Sequence, residues 1–328
     1  MILFEEAALP AVRAGEFDLG GRRVAARATP YGGDAAPPSF RFDPLERRFL
    51  TCRRDSTVSA GPAEADLWRG ALEGLPPGAV AVEKWSGAEA VRGAYRAAVD
   101  GALQAGRGVF LLDPEPEGLP DAADSSAVVV VCFRPGPLPK VLSAAARAGF
   151  ASGLALPVIP GWTAEASFYE PLLEAASAAG AVFVAPLSPA SDGEARRCAV
   201  EARAADDPAS ADGFFERVHH GDWLGELPGR LAAVRAAAVA RGLLVLPPRP
   251  RGAGEPPANA AASSLLEQRA AQMGADEHRQ ALMHAAVRWI DESGRDLSAL
   301  TREGNFRKVF PFGAEVAVEV EAALRGPR

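Results

Sequence analysis

From about Ala79 onwards, short apolar runs alternate with segments whose apolar residues recur at helical intervals. A short run of continuously apolar residues is typical of a strand that is buried on both faces of a parallel sheet. The segments between such runs predict helices that cross from one parallel strand to the next. Six strands are predicted on this basis: Ala79–Lys84, Gly108–Leu112, Ala127–Phe133, Ser152–Val158, Ala181–Leu187 and Gly242–Leu246.

Three of the crossover segments have a clear apolar face of the kind that packs on a sheet. Six strands joined by such helices can form an open doubly wound sheet or a partial (β/α) barrel, and periodicity alone does not choose between them. The three faces consist of Leu138, Val141, Leu142, Ala145 and Ala146; of Phe168, Leu172, Leu173 and Ala176; and of Leu227, Leu231, Val234 and Ala238.

The chain divides into three regions by pattern. Residues 1–60 contain short strand-like pieces separated by glycine and proline, which predicts a β-rich N-terminal extension. Residues 61–250 carry the βα pattern. A linker rich in proline, glycine and arginine, Pro247–Pro257, leads into a helical C-terminal region over residues 251–328, where Leu282, Ala285, Trp289 and Ile290 share one predicted face.

Composition narrows the class of protein. The chain has 328 residues, of which 48% are hydrophobic, and this is enough to form a sizeable core. Its net charge of −7 argues against a nucleic-acid-coating or membrane-surface protein. Cys52, Cys132 and Cys198 are odd in number and far apart, which is typical of a reducing compartment. Because Glu5 and Glu6 interrupt the apolar start, we predict no secretory signal and a cytoplasmic protein.

Charged residues follow several of the predicted strands. Ligands of parallel α/β folds bind beyond the carboxyl ends of the strands, so Glu83, Lys84, Asp113 and Arg134 are candidate catalytic residues. Trp85 or Trp162 would form an apolar wall of the same pocket. The alternative interpretation is that these charges are simply solvated loop residues.

Other candidate motifs are weaker. The acidic string Asp113–Glu117 alternates with proline, which holds the chain extended and makes successive carboxylates diverge, so no metal site is predicted. His219 and His220 are adjacent and would point about 100° apart on a helix, which favours a helix-end or surface role. The sequence has no P-loop, no dinucleotide-binding glycine motif and no nucleophile elbow.

Four consecutive segments resemble the later half of the radical SAM proteins related to spore photoproduct lyase. They are Ala145–Gly149, Leu154–Trp162, Glu170–Ala176 and Ala179–Ala181. In that family a helix ends in an Ala-Gly turn, and the strand after it ends in a Pro-x-Ile-Pro-Gly motif. The resemblance covers roughly residues 138–245.

The resemblance implies a partial (β/α)6 barrel of TIM-like type that binds S-adenosylmethionine at its rim. It implies that Ile159, Pro160 and Gly161 contact the adenine, and that the loop at Asp113–Glu117 corresponds to one that contacts the methionine amino group. The family also carries a four-iron cluster on a Cys-x3-Cys-x2-Cys loop, which this sequence lacks, so an iron–sulfur cluster is not expected.

We therefore predict a degenerate radical-SAM-like barrel, a pseudoenzyme without its cluster, that binds a small molecule such as S-adenosylmethionine or a protein partner. Two alternatives stay open. One is a non-radical enzyme that uses Glu83, Lys84, Asp113 and Arg134. The other is a structural or interaction protein that docks through Asn305–Phe310, where two phenylalanines are interleaved with two cations.

Overall fold

The computed structural model describes six short strands within residues 12–60 and most of the chain after them. The described residues beyond residue 60 are 64–73, 79–83, 89–121, 124–132, 138–187, 199–200, 203–204, 207–272 and 277–325.

Seven strands form one sheet in the order β1–β2–β7–β8–β9–β10–β11. The strands β7 to β11 are consecutive neighbours and all parallel, while β2 adds parallel to β7 and β1 adds antiparallel to β2. Two further pairs, β3 with β6 and β4 with β5, are antiparallel. The strands are β1 Val12–Ala14, β2 Ala26–Ala28, β3 Tyr31–Gly32, β4 Arg41–Asp43, β5 Arg48–Leu50, β6 Ser59–Ala60, β7 Val80–Glu83, β8 Val109–Leu112, β9 Val128–Cys132, β10 Ala151–Pro157 and β11 Phe183–Leu187.

Helices separate the parallel strands except between β8 and β9, where the described residues form two 3-10 turns, Pro116–Gly118 and Ser125–Ala127; after β11 the described elements are helical. None of the described helices is long and apolar enough to cross a membrane. They are α1 Ala65–Glu73, α2 Glu89–Gln104, α3 Leu138–Arg147, α4 Ala166–Ala178, α5 Ala211–His220, α6 Trp223–Ala240, α7 Pro257–Gln272, α8 Glu277–Glu292, α9 Leu297–Arg302, α10 Phe306–Val309 and α11 Gly313–Arg325.

The α/β class and five of the six predicted strands are confirmed. The strands β7 to β11 follow one another in space as they do along the chain, without the reversal of order that defines a doubly wound sheet. Within the described strands the sheet is open, because β1 and β11 stand at opposite ends and do not pair. The fold shown is therefore an open α/β sheet with a parallel core.

The two faces of the sheet are buried in different ways. Side chains such as Val82, Leu111 and Val130 share one core with residues of α1, α2, α3, α4 and α6. Their neighbours in sequence, such as Phe110 and Val131, form a second cluster that consists, among the described residues, of side chains from this face of the sheet. Helices thus lie on one face, and the inner side chains of the other face pack against one another.

The predicted helix faces are largely confirmed. Leu138, Val141, Leu142 and Ala145 of α3 are buried, whereas Ala146 is exposed. Ala146 lies about 100° round the helix from Ala145, which turns it away from the sheet.

A glycine and a phenylalanine fit together on the inner face. Gly153 in β10 pairs with Phe183 in β11, and a Cβ at Gly153 would lie 2.1 Å from the Phe183 carbonyl oxygen and 2.6 Å from its ring. The ring therefore occupies the space that a larger residue at position 153 would need. Phe183 itself is completely buried.

The sixth predicted strand, Gly242–Leu246, is reduced to a single parallel bridge between Leu244 and Phe183. The carboxamide of Gln268 in α7 prevents further pairing of this segment with β11. Its Oε1 accepts the backbone N–H groups of Val245 and Leu246 at 3.0 Å each, and its Nε2 donates to the Leu246 carbonyl at 2.6 Å. Pro247 and Pro248 follow and have no N–H to donate. The strand ends because the Gln268 side chain occupies the backbone N–H and C=O groups that would otherwise pair with β11.

The C-terminal helices enclose a core of their own. Phe306 stacks on Phe310 with ring centroids 5.0 Å apart, and Trp289 meets both rings edge to face. Phe306 and Phe310 are buried, so the segment Asn305–Phe310 does not present its aromatic rings for docking.

The predicted face of α8 is partly confirmed: Ile290 is completely buried, but elsewhere the buried positions are displaced by one residue. Met283 and Ala286 are completely buried, whereas Leu282 and Ala285 are half-buried. The displacement follows from packing, because α8 contacts both α7 and α11.

We expect Gly153→Ala to destabilise the fold by about 1–3 kcal/mol or more, because the added methyl collides with the Phe183 backbone and not only with a movable side chain. Gly213→Ala in α5 is the matched control: nothing lies within 4 Å of its added Cβ, and alanine favours a helix by about 0.5–1 kcal/mol. Urea unfolding of both variants tests the contrast. Equal stabilities would show that Gly153 carries no steric constraint.

Candidate functional site

The carboxyl ends of β7, β8 and β9 lie side by side and form the predicted rim. Glu83 is the last residue of β7 and pairs with Leu112 at the end of β8. The side chain of Glu83 lies outside the described part of the structure, as do Lys84, Trp85 and Arg134. Of the four charged rim candidates, Asp113 is the one whose side chain belongs to the described part of the structure.

Asp113 has an unusual backbone conformation at the end of β8. Its φ is +45°, and it is the one non-glycine residue with positive φ in the described part of the chain. Aspartate tolerates this region better than most residues, but it is still an uncommon conformation. The Asp113 N–H donates to the Val131 carbonyl at 2.9 Å, so the turn is held against the end of β9. The side chain is half-buried at the rim.

Cys132 ends β9 next to this turn and faces the helix side of the sheet. Its side chain is buried among core residues such as Leu154 and Val130. Burial, and secondarily the negative charge of Asp113, raise the pKa of the Cys132 thiol. The thiol therefore stays protonated at neutral pH, and a protonated, apolar-packed thiol is a poor metal ligand. Cys52 and Cys198 lie outside the described residues.

The motif Pro157–Gly161 forms a compact turn after β10. The Thr163 hydroxyl donates to the Pro157 carbonyl and accepts the N–H of Ile159 at 2.9 Å. The Ile159 carbonyl accepts from both Trp162 and Ala164 at 3.1 Å. Gly161 adopts φ +80°, which glycine takes without strain. The Thr163 hydroxyl thus holds the turn together by bonding to backbone groups of both Pro157 and Ile159.

The side chains of this motif are covered by the protein itself. Ile159 is completely buried against Ala199, Phe214 and Val218. Pro160 is buried, and the Arg217 side chain lies so close over Gly161 that a Cβ there would be 2.9 Å from its Cδ. The residues expected to contact adenine therefore lie beneath α5, and this part of the rim is filled.

Four charged residues hold α5, α6 and the turn together. Glu165 accepts the Gly161 N–H at 3.0 Å and an Arg230 N–H at 3.2 Å. Glu226 lies 3.5 Å from Arg230. The Nη2 of Arg217 donates to both carboxylate oxygens of Glu226, at 2.9 and 2.8 Å. Each cation therefore touches at least one carboxylate, and the chain of contacts runs from the turn to α5.

Trp162, proposed as a pocket wall, lies inside an aromatic group. Its ring meets Phe168 and Phe214 edge to face, with centroids 6.4 and 6.1 Å apart. The Arg203 guanidinium lies 5.7 Å from the ring centroid, within cation–π range. The buried Nε1 has no hydrogen-bond partner among the described residues. The indole packs the turn against α4 and α5.

The weaker motifs have structural roles. His219 and His220 occupy the last turn of α5, where a helix end favours basic groups, and this confirms the helix-end prediction. Asp222 caps α6 by accepting the Gly225 N–H at 3.1 Å. The acidic string is not fully extended, because Pro116–Gly118 forms a 3-10 turn. Among the described residues no three histidine, cysteine or acidic side chains are grouped closely enough to hold a metal ion.

Sequence reasoning missed the contacts of Glu165 and Arg217. The i,i+4 spacing of Glu226 and Arg230 was a readable signal for one ion pair. Glu165 and Arg230 are 65 positions apart, and only the packing of α6 beside α4 brings them together.

In comparisons with known proteins, no family model, no curated protein and no solved structure matches the chain.

We expect Glu165→Ala to destabilise the protein by about 1–2 kcal/mol, because it removes the acceptor of the Gly161 N–H and one partner of Arg230. Both charged side chains are 36% exposed, so solvent screening keeps the loss small. Glu174→Ala on the exposed side of α4, the helix that follows Glu165, should change stability by less than about 0.5 kcal/mol. Similar losses in both variants, measured by thermal unfolding, would contradict the proposed bridging role.

Proposed function

We propose that this chain is a radical-SAM-like half-barrel that lacks an iron–sulfur cluster and binds S-adenosylmethionine at the rim next to Asp113. The observation that carries the proposal is Asp113 at the end of β8, whose backbone has a strained positive φ and whose side chain is half-buried. Backbone strain of this kind clusters at ligand sites, where the surrounding structure holds it in place.

The chemistry of Asp113 suits this ligand. S-adenosylmethionine carries an ammonium and a sulfonium, both positive, and a half-buried carboxylate attracts cations more strongly than an exposed one does. Asp113 also belongs to the segment that the family resemblance associates with the methionine amino group. We therefore assign the ammonium to Asp113. Ile159 is not assigned to the adenine, because its side chain has no exposed surface.

The architecture supports the same interpretation. Parallel strands in sequential order, with helices on one face and interdigitated side chains on the other, are typical of barrels and partial barrels. The burial of Cys132 supports the proposal that this thiol ligates no iron, because cluster ligation requires a thiolate and burial favours the protonated thiol.

The first test is anaerobic purification, iron and sulfide analysis, and thermal unfolding with and without S-adenosylmethionine. We expect no bound iron and a saturable rise in the melting temperature; ligand at about 100 times its Kd stabilises the folded state by about 2.7 kcal/mol. About four irons per chain would contradict the cluster-free assignment. No thermal shift would contradict ligand binding and leave a protein partner as the better candidate.

Asp113→Asn localises the site. Asparagine also tolerates positive φ, so the fold should lose less than about 1 kcal/mol, while the loss of charge should weaken S-adenosylmethionine binding at least tenfold. Asp121→Asn, an exposed acid between β8 and β9, is the control and should bind as the unaltered protein does. Unchanged binding by Asp113→Asn, measured calorimetrically, would remove Asp113 from the site.

A second candidate is a non-radical enzyme at the same rim, with Glu83, Lys84 and Arg134 acting beside Asp113. The strained backbone of Asp113 favours it equally, because strain also marks catalytic residues. Quantitative recovery of S-adenosylmethionine after prolonged incubation would support binding alone. Consumption that stops in Asp113→Asn would support the enzyme.

A further inference from the structure

A cleft of about 530 Å³ lies at the opposite end of the sheet from the rim. Its walls come from the segments before β7 and β8, from residues 249–256 and from α1, α7 and α8. Small-molecule sites commonly have a volume of this order and commonly lie where two packed units meet. The charged residues of the lining are Glu73, Arg107, Arg249, Glu255 and Asp291.

Hydrogen bonds between distant segments hold the walls of the cleft in place. The Ala253 N–H donates to the Gly106 carbonyl at 2.7 Å. In the wall formed by α7, the Asn259 carboxamide donates to the Arg295 carbonyl at 2.7 Å and accepts the Leu297 N–H at 3.1 Å. The protein itself therefore fixes the shape of the cleft, and a ligand does not have to order it.

Three helices end at the cleft, and each presents its carboxyl end. α1 ends at Glu73, the end of α2 is followed by Ala105 and Gly106, and α8 ends one residue after Asp291. The carbonyl groups at the end of a helix carry a partial negative charge, which favours a cation nearby. None of these three helices has a basic residue in its last turn. One helix, α7, begins at the cleft near Asn259 and contributes the opposite polarity there.

Both guanidinium groups of the lining are already engaged by the protein. The Arg107 Nη2 donates to the Leu72 carbonyl in the last turn of α1 at 2.6 Å. Arg249 contacts both Glu255 and Asp291, and all three side chains are at most 16% exposed. Because one cation is shared by two carboxylates, this buried group of three has a formal excess of one negative charge.

The lining as a whole is negative. Three carboxylates stand against two guanidinium groups, and the third carboxylate, Glu73, is 60% exposed. Glu73 lies 3.6 Å from Arg69, which does not line the cleft. A carboxylate offers about four lone-pair positions, so Glu73 can accept further hydrogen bonds. The excess negative charge and the helix carboxyl ends act in the same direction, and both favour a positively charged ligand.

From this arrangement we propose that the cleft binds a small organic cation whose primary ammonium group hydrogen-bonds to Glu73 at the end of α1. An ammonium has three N–H donors, which suit a carboxylate together with carbonyl groups at helix ends. The buried group of Arg249, Glu255 and Asp291 stabilises the cation through its excess charge and keeps its own contacts. The site is separate from the rim and does not depend on the function proposed there.

The experiment is a thermal-shift titration of the full chain at neutral pH with aminobutanol, a four-carbon chain with an ammonium at one end and a hydroxyl at the other. The controls are butanediol, which is neutral, and hydroxybutyrate, an anion with the same chain. Each probe is compared with sodium chloride at equal ionic strength. We expect a saturable rise in the melting temperature with aminobutanol alone. No saturable rise, or an equal rise with either control probe, would overturn the proposal.

Two variants locate the site. Glu73→Gln should weaken aminobutanol binding about tenfold or more, because glutamine has no charge to offer the ammonium. Glu73 is exposed, so the fold should lose little stability by this change. Glu174→Gln on α4 is the matched control: it removes the same charge outside the cleft and should leave binding unchanged. Equal affinities in the two variants would place the cation elsewhere.

Gln104→Lys tests the contribution of the helix ends. Lysine is favourable in the last turn of a helix, so the fold should keep its stability. The new charge next to Ala105 and Gly106 should weaken aminobutanol binding several-fold, because it repels the ammonium. Unchanged affinity would contradict the electrostatic basis of the proposal.

The cleft and the rim are tested separately, because S-adenosylmethionine is itself a cation. Asp113→Asn should leave aminobutanol binding unchanged, and Glu73→Gln should leave the thermal response to S-adenosylmethionine unchanged. Loss of aminobutanol binding in Asp113→Asn would show that the probe binds at the rim and would overturn the assignment to the cleft.

Discussion

The fold depends on the burial of one parallel sheet from both sides by two different means. Helices cover one face, and the side chains of the other face form a second buried cluster, in which the Phe183 ring lies against Gly153. Close packing of this kind leaves little freedom, because a side chain that fills a space left by a glycine tolerates no addition there. The register of β10 against β11, and with it the position of the turn after β10, follows from this fit.

At the β11 edge of the sheet, the side chain of Gln268 prevents the addition of a further strand. Gln268 takes the backbone groups of Val245 and Leu246, and two prolines follow, so the chain leaves the sheet after one bridge. It then runs as a docked segment to Arg249, where a buried ion pair fixes it to α8. The helical C-terminal region therefore attaches to the sheet through directed polar contacts.

The two ends of the strands differ in what they leave accessible. At the carboxyl end, the turn after β10 is covered by α5, Arg217 and an aromatic group around Trp162, whereas Asp113 stays half-buried at the end of β8. At the amino end, the ion pairs of Arg249 and the turns at Gly254 and Gly294 surround a cleft of about 530 Å³.

The sequence by itself determined the α/β class, five of the parallel strands, most of the buried helix faces and the position of Asp113 at a strand end. These follow from local periodicity, because the alternation of buried and exposed positions is set by the geometry of each element. It did not determine the short sixth strand, the burial of Ile159 or the bridge from Glu165 to Arg230. Those depend on residues far apart in the chain, and only the packing of α5, α6 and α7 against the sheet decided them.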